Sequence, residues 1–150
     1  MTNAQLTALK TLIASEPANQ TRNDAEITAW CNEASATIVW RTYVDAQEVM
    51  ANGFVWTAVD GLTAGKARIW DWLTRYGGFN PSKANVRQGL VDAFGAASAM
   101  ANGIMPHLKR TATRAEGAMA SGTGTDASPS TLTYEGTVST QDVIDALTRG

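Results

Sequence analysis

The sequence predicts a mainly α fold, a compact helical bundle followed by an extended C-terminal arm made of a short strand and a short helix. Three observations point there. Residues 1–120 repeatedly place apolar side chains at helical spacing. All five tryptophans fall between Trp30 and Trp72, where their large apolar area must supply much of a core. At Ser121 the composition changes to a Ser/Gly/Thr run, as in a flexible linker. The expected organisation is a helical body (1–120), a linker (121–130) and a docking arm (131–150).

The first helix is read from Leu6, Leu9, Leu12 and Ile13 and stops at Pro17. After a polar joint from Asn19 to Asn23, Asp24 is placed to cap a second helix with Ile27, Trp30 and Cys31 as its apolar edge. Residues 34–38 read as a loop and residues 38–40 as a short β-prone run. Asp45 and Glu48 fit a capping box, with Val44 and Val49 as its hydrophobic staple. Within residues 56–78, Leu62, Lys66, Ile69, Trp70 and Leu73 share a helical face, Thr63 is the N-cap, and Gly77 and Gly78 suit a left-handed C-cap. Trp72 falls off that face and points to a second contact surface.

Ser82 is placed to cap a helix carrying Val86, Leu90 and Phe94. Gly95 and Gly103 permit a bend or very close packing. From Ile104 the series Leu108, Ala112, Ala115 and Met119 continues helical, with Lys109, Arg110 and Arg114 on its other face. Beyond the linker, residues 131–135 read as one isolated strand. A final helix opens with Ser139 and Asp142 as capping box and Val138 and Val143 as staple. About two turns of helix do not persist undocked. Leu132, Tyr134, Val138, Val143, Ile144 and Leu147 are therefore expected to find burial on a partner's surface, by strand addition or helix docking.

A formal charge of −2 over 150 residues offers no bulk attraction for nucleic acid or membrane. Its distribution is segregated: residues 1–60 carry −4, residues 61–114 carry +6 and residues 115–150 carry −4. Blocks of this kind are solvated faces, head-to-tail subunit contacts or a basic inner wall. Lys83, Arg87, Lys109, Arg110 and Arg114 are the candidates for a DNA-facing or interface role, with snorkelling over apolar surface as the plain alternative. Cys31 is the only cysteine, so no intrachain disulfide forms, and its apolar neighbours predict a buried structural thiol in a reducing compartment. There is no signal-peptide pattern and no apolar run near the ~20 residues that cross a bilayer, so the expected location is cytoplasmic, away from membranes.

Catalytic chemistry finds little support. His107 is the only histidine, so neither a zinc cluster with a second histidine nor a conventional Ser–His pair assembles around it. Between Gly61 and Gly65 stand three residues, and Ala67 follows Lys66, whereas a phosphate-binding loop needs four and then Ser or Thr. No carboxylate pair stands at a spacing that forces proximity. The expectation is a protein that is not an enzyme and holds no cofactor or metal.

Several strings, among them Val39-Trp-Arg-Thr, Leu62-Thr-Ala-Gly-Lys-Ala-Arg-Ile-Trp-Asp-Trp, Asn80-Pro-Ser-Lys-Ala-Asn-Val-Arg and Gly122-Thr-Gly-Thr-Asp-Ala-Ser-Pro, resemble a family of small tailed-bacteriophage virion structural proteins. The resemblance spans roughly residues 20–145. Within that class, a mostly helical protein with a C-terminal arm is similar to head–tail connector adaptors. The resemblance implies a homo-oligomeric ring, commonly a dodecamer, beneath the portal protein at the virion neck, after assembly in the host cytoplasm. It also implies contact with the next neck or tail protein (a stopper or tail completion protein) and non-specific passage of genomic DNA through the lumen. No catalytic motif comes with it. The alternatives are another assembly component, such as a tail completion or capsid-associated protein, or a DNA-binding accessory protein using the basic middle third.

Overall fold

The computed structural model describes residues 1–148; Arg149 and Gly150, the last two positions of the expected arm, lie outside the described residues. In chain order the first elements are α1 (Asn3–Ser15), α2 (Asp24–Asn32), β1 (Ala34–Trp40), β2 (Val44–Asp45), α3 (Ala46–Asn52), α4 (Thr57–Asp60) and α5 (Ala64–Thr74). There follow β3 (Gly78–Phe79), α6 (Ala84–Phe94), α7 (Ala99–Ile104), β4 (Lys109–Thr113), α8 (Arg114–Met119) and α9 (Thr140–Thr148). Among the described residues the fold is thus mainly α, with two small two-stranded sheets, β1–β4 and β2–β3. It divides into two units, one formed by residues 1–39 together with 111 onward, the other by residues 40–110.

The first unit is built from both ends of the chain. Thr2 and Gln5 start α1 as a reciprocal capping box, at 2.8 and 3.2 Å. Asn23, one residue earlier than expected, starts α2 in the same way with Glu26. Asn23 precedes the helix and offers its carboxamide oxygen to the third helical amide, which Asp24 inside the helix cannot do. The core joins Leu6, Leu9 and Ile13 of α1 and Ile27 and Cys31 of α2 to Ala115 and Met119 of α8. Val138, Val143 and Ala146 complete it.

That core overturns the docking arm. Val138 and Val143 are buried within this chain, Tyr134 packs on the same cluster, and α9 lies against α1 and α2. Leu132 and Ile144 are half-buried, and only Leu147 of the six is exposed. Asn32 holds the entry to α9 by accepting from Val138 N and donating to Val138 O, both at 2.9 Å. The capping box of Ser139 with Asp142 forms as expected, and the hydrogen bonds from Ser139 hold the Asp142 carboxyl below its usual range. Two turns of helix do need a surface, and α1 and α2 provide it. The expected strand at residues 131–135 reduces to a single antiparallel bridge between Ser121 and Thr131.

Residues 121–130 are likewise no free linker. Ile38 N donates to Gly124 O at 2.8 Å and Ser130 N donates to Ile38 O at 2.9 Å, laying the segment along β1. β1 itself covers all of residues 34–40, including the stretch expected to be loop. The long helix expected from Ile104 to Met119 is also broken. Pro106 sits in a short 3₁₀ turn (Met105–Leu108), and the chain then runs as β4 beside β1, with Ser35 Oγ donating to Ala112 O at 3.0 Å.

Cys31 is a buried thiol, as expected. Burial raises its pKa from the ordinary 9.0 to about 11, with Arg114 pulling weakly the other way. Below pH 9 both folded and unfolded chains keep this proton, so pH has no leverage through it. Between pH 9 and about 11 the unfolded chain releases a proton that the folded chain retains, so stability falls as pH rises. The urea midpoint is expected to drop more steeply over this window in the native chain than in Cys31→Ala; equal slopes would contradict the assignment.

The second unit, residues 40–110, holds Val44, Val49, Trp70, Phe79, Leu90, Met100, Ile104 and Leu108 in its core. Trp70 lies at its centre, with ring centroids 5.1 Å from Phe54, 5.6 Å from Phe94 and 6.5 Å from Phe79. Val44 pairs with Phe79 across the β2–β3 ribbon. Asp45 caps α3 by accepting from Gln47 N at 2.7 Å. Lys83, not Ser82, stands at the start of α6; Ser82 instead bonds to Asn80 Oδ1. The end of α3 meets α7 backbone to backbone. A Cβ on either Gly53 or Gly103 would fall 2.2 Å from the other's carbonyl oxygen.

Candidate interaction surface

Helix α5 has one buried and one exposed face. Thr63 Oγ1 caps it by accepting from Lys66 N at 3.5 Å. One face buries Trp70 and sets Ile69 and Leu73 against Gly89 of α6. The other carries Arg68 and Trp72 one turn apart, and Arg75 and Tyr76 follow in the turn that leaves the helix. The helix ends at Thr74, and the turn beyond it closes at Gly77, which takes a φ of +85° and donates its N–H to Thr74 O at 3.0 Å. Trp72 is 59% exposed and Tyr76 87%.

Tyr43 borders this strip. Its ring covers Gly78 so closely that a Cβ there would lie 2.6 Å from the phenol carbon and oxygen, yet Tyr43 remains 55% exposed. Trp56, 64% exposed, stands with its ring edge-to-face on Phe54 at 4.7 Å. Single exposed apolar residues need no explanation, but exposed aromatic rings and arginines following one another along a helix end and its exit turn form the kind of surface that proteins bury against partners. The off-face position of Trp72 was readable from sequence. Tyr43, Tyr76 and Trp56 were missed, although a second series at Arg68, Trp72 and Tyr76 signals the face by spacing alone.

Two of the five basic candidates are engaged within the chain. Arg87 lies over the Trp40 ring at 4.4 Å and donates to Pro81 O at 2.6 Å; burial lowers its pKa. Arg114 lies over Trp30 at 4.9 Å, donates to Trp30 O at 3.0 Å and pairs with Glu33. Lys109 and Arg110 are half-buried in β4, and Lys83 is exposed. Lys83, Arg87, Lys109 and Arg110 belong to one unit and Arg114 to the other. His107 is half-buried, and its carbonyl accepts from Arg41 Nη1 at 3.0 Å. Arg41 in turn grips Glu48 with two bonds of 2.6 and 3.0 Å, which hold that carboxyl below its usual range.

A cleft of about 330 Å³ opens in the unit of the chain ends, lined by Ile13, Asn19, Arg22, Ile27 and Leu147 among others. Its buried polar group is already satisfied: Asn19 donates to Ile13 O at 3.1 Å and accepts from Arg22 at 2.7 Å. Among the described residues no cluster of His, Cys, Asp or Glu is arranged to hold a metal ion. No helix among them is long and apolar enough to cross a membrane. Comparison with protein-family models, curated proteins and solved structures returns no match for this chain.

Proposed function

We propose that this chain is a structural assembly subunit without catalytic activity, acting as a head–tail connector at the neck of a tailed bacteriophage. In this reading copies form a ring, of the twelvefold kind that portal adaptors adopt, with the portal on one side, a stopper or tail completion protein on the other and DNA in the lumen. The exposed aromatic and arginine strip at the end of α5 carries the reading, because among the described residues Trp72 and Tyr76 are left mostly uncovered, as interface anchors are before assembly. The sequence resemblance to virion proteins and the segregation of charge support it.

The C-terminal segment no longer does. Portal contact must come from a folded surface, since Val138 and Val143 are spent on the chain's own core. A purely DNA-binding role is weakened too, because Arg87 and Arg114 are held by internal partners. Purified virions and portal complexes test the assignment. The chain is expected in the virion at the neck and in a portal-bound ring by mass and imaging. A sixfold ring on the tail would move it to tail completion, and absence from virions would remove the assignment.

A further inference from the structure

We propose that the α5 strip docks on the acidic unit of a second copy of this chain, in a head-to-tail contact. This deepens the assembly reading above and rests on it for the partner being a copy of the chain. Trp, Tyr and Arg dominate the centres of protein interfaces, where rings give large rigid contact area and guanidinium groups bind carboxylates. Trp72, Tyr76 and Tyr43 leave that area in water in the isolated chain.

Charge selects the occupant. Residues 40–110 carry eight Lys/Arg against five Asp/Glu, a formal +3, while the unit of the chain ends carries four against nine, a formal −5. Within the strip, Arg68 and Arg75 flank Trp72, and Asp71 is the one carboxylate between Lys66 and Tyr76. Two α5 strips facing each other across a two-fold axis would bring like charges together. The same strip on the −5 unit of a neighbour meets carboxylates, among them the exposed Asp24 and Glu26 at the start of α2. Each copy then has a donor face and an acceptor face. A contact of this heterologous type closes into a ring when its rotation permits and otherwise extends as a filament. Single-stranded nucleic acid, which also stacks on exposed rings among cations, is the rival occupant.

The full-length chain tests this by mass against concentration and salt, beside Trp72→Ala/Tyr76→Ala and Arg68→Glu/Arg75→Glu. All these positions are exposed, so circular dichroism should match the native chain. The native chain should assemble, less so as salt rises, and each double variant should weaken assembly by at least about tenfold, as loss of interface anchors does. An excess of the Trp72→Ala/Tyr76→Ala chain should cap native chains as one-to-one pairs, because it keeps the acceptor face. A native chain that stays monomeric overturns the proposal. So does assembly unchanged in both variants, or a mixture that forms no native–variant pairs, as a two-fold contact would give. Binding of an oligothymidine that is lost in the variants, without assembly, assigns the strip to nucleic acid instead. Assembly that survives both variants removes this face and leaves the neck reading standing, whereas absence from virions removes the neck reading alone.

Discussion

Removal of residues 138–150 is expected to unfold the unit formed by the chain ends, not to release a stable helical body. Val138, Val143 and Ala146 are interior members of its core, and α9 covers faces of α1 and α2 that include Leu6, Leu9 and Ile27. Truncation also deprives Asn32 of both partners on Val138. A graded version separates packing from chain loss. Val143→Ala leaves a cavity in a fully buried site and should cost about 2 kcal/mol, below the range for deleting a whole leucine side chain. Val143→Asp, which buries a charge without a partner, should abolish folding of that unit. Far-ultraviolet circular dichroism with urea titration reads both effects. A truncated chain with native helicity per residue and one cooperative transition would show that the segment is dispensable.

Gly103→Val is expected to be the most damaging single substitution in residues 40–110. If nothing moved, its Cβ would lie 2.2 Å from Gly53 O and 3.2 Å from the Gly53 carbonyl carbon, so α3 and α7 must separate. Overpacking of this kind costs about 3 kcal/mol, and more where backbone meets backbone. Separation draws Val49 away from Met100 and Ile104, which share one core with Trp70. Near-ultraviolet ellipticity of the tryptophans should therefore fall along with the urea midpoint. Gly65→Ala, where a Cβ meets nothing within 4 Å, is the control and should be neutral or slightly stabilising.

Local chemistry was readable at several sites where a few neighbouring residues decide the outcome. Thr63 as cap of α5, Ser139 with Asp142 at α9, and Val44 with Val49 in one core follow from side chains within five residues of each other. Two cap positions were off by one residue, at Asn23 and Lys83; the larger failures share a cause, that the deciding partner is distant in sequence. Ala112 and Ala115 fit the helical spacing that begins at Ile104, yet residues 109–113 pair with β1, and Ser35 bonds Ala112 across 77 positions. Asn32 fixes Val138 across 106. Periodicity cannot register such pairings, so the final helix looked like one that must seek another molecule. The physics of a short helix needing a surface was sound; the surface is in the same chain. The exposed strip was half legible for a related reason. Trp72 departs from the apolar face on spacing alone, whereas Tyr43 joins the strip only through the β2–β3 pairing that brings Gly78 under its ring.

Hydrogen exchange on the intact, unassembled chain tests directly whether the C-terminal segment belongs to the core of its own molecule. The helical amides of residues 144–148 are expected to exchange slowly and through the same opening as those of residues 7–15 in α1, with protection falling together as urea is added. Exchange of residues 144–148 at the rate of an unstructured peptide, while α1 stays protected, would contradict it and restore the segment as an arm.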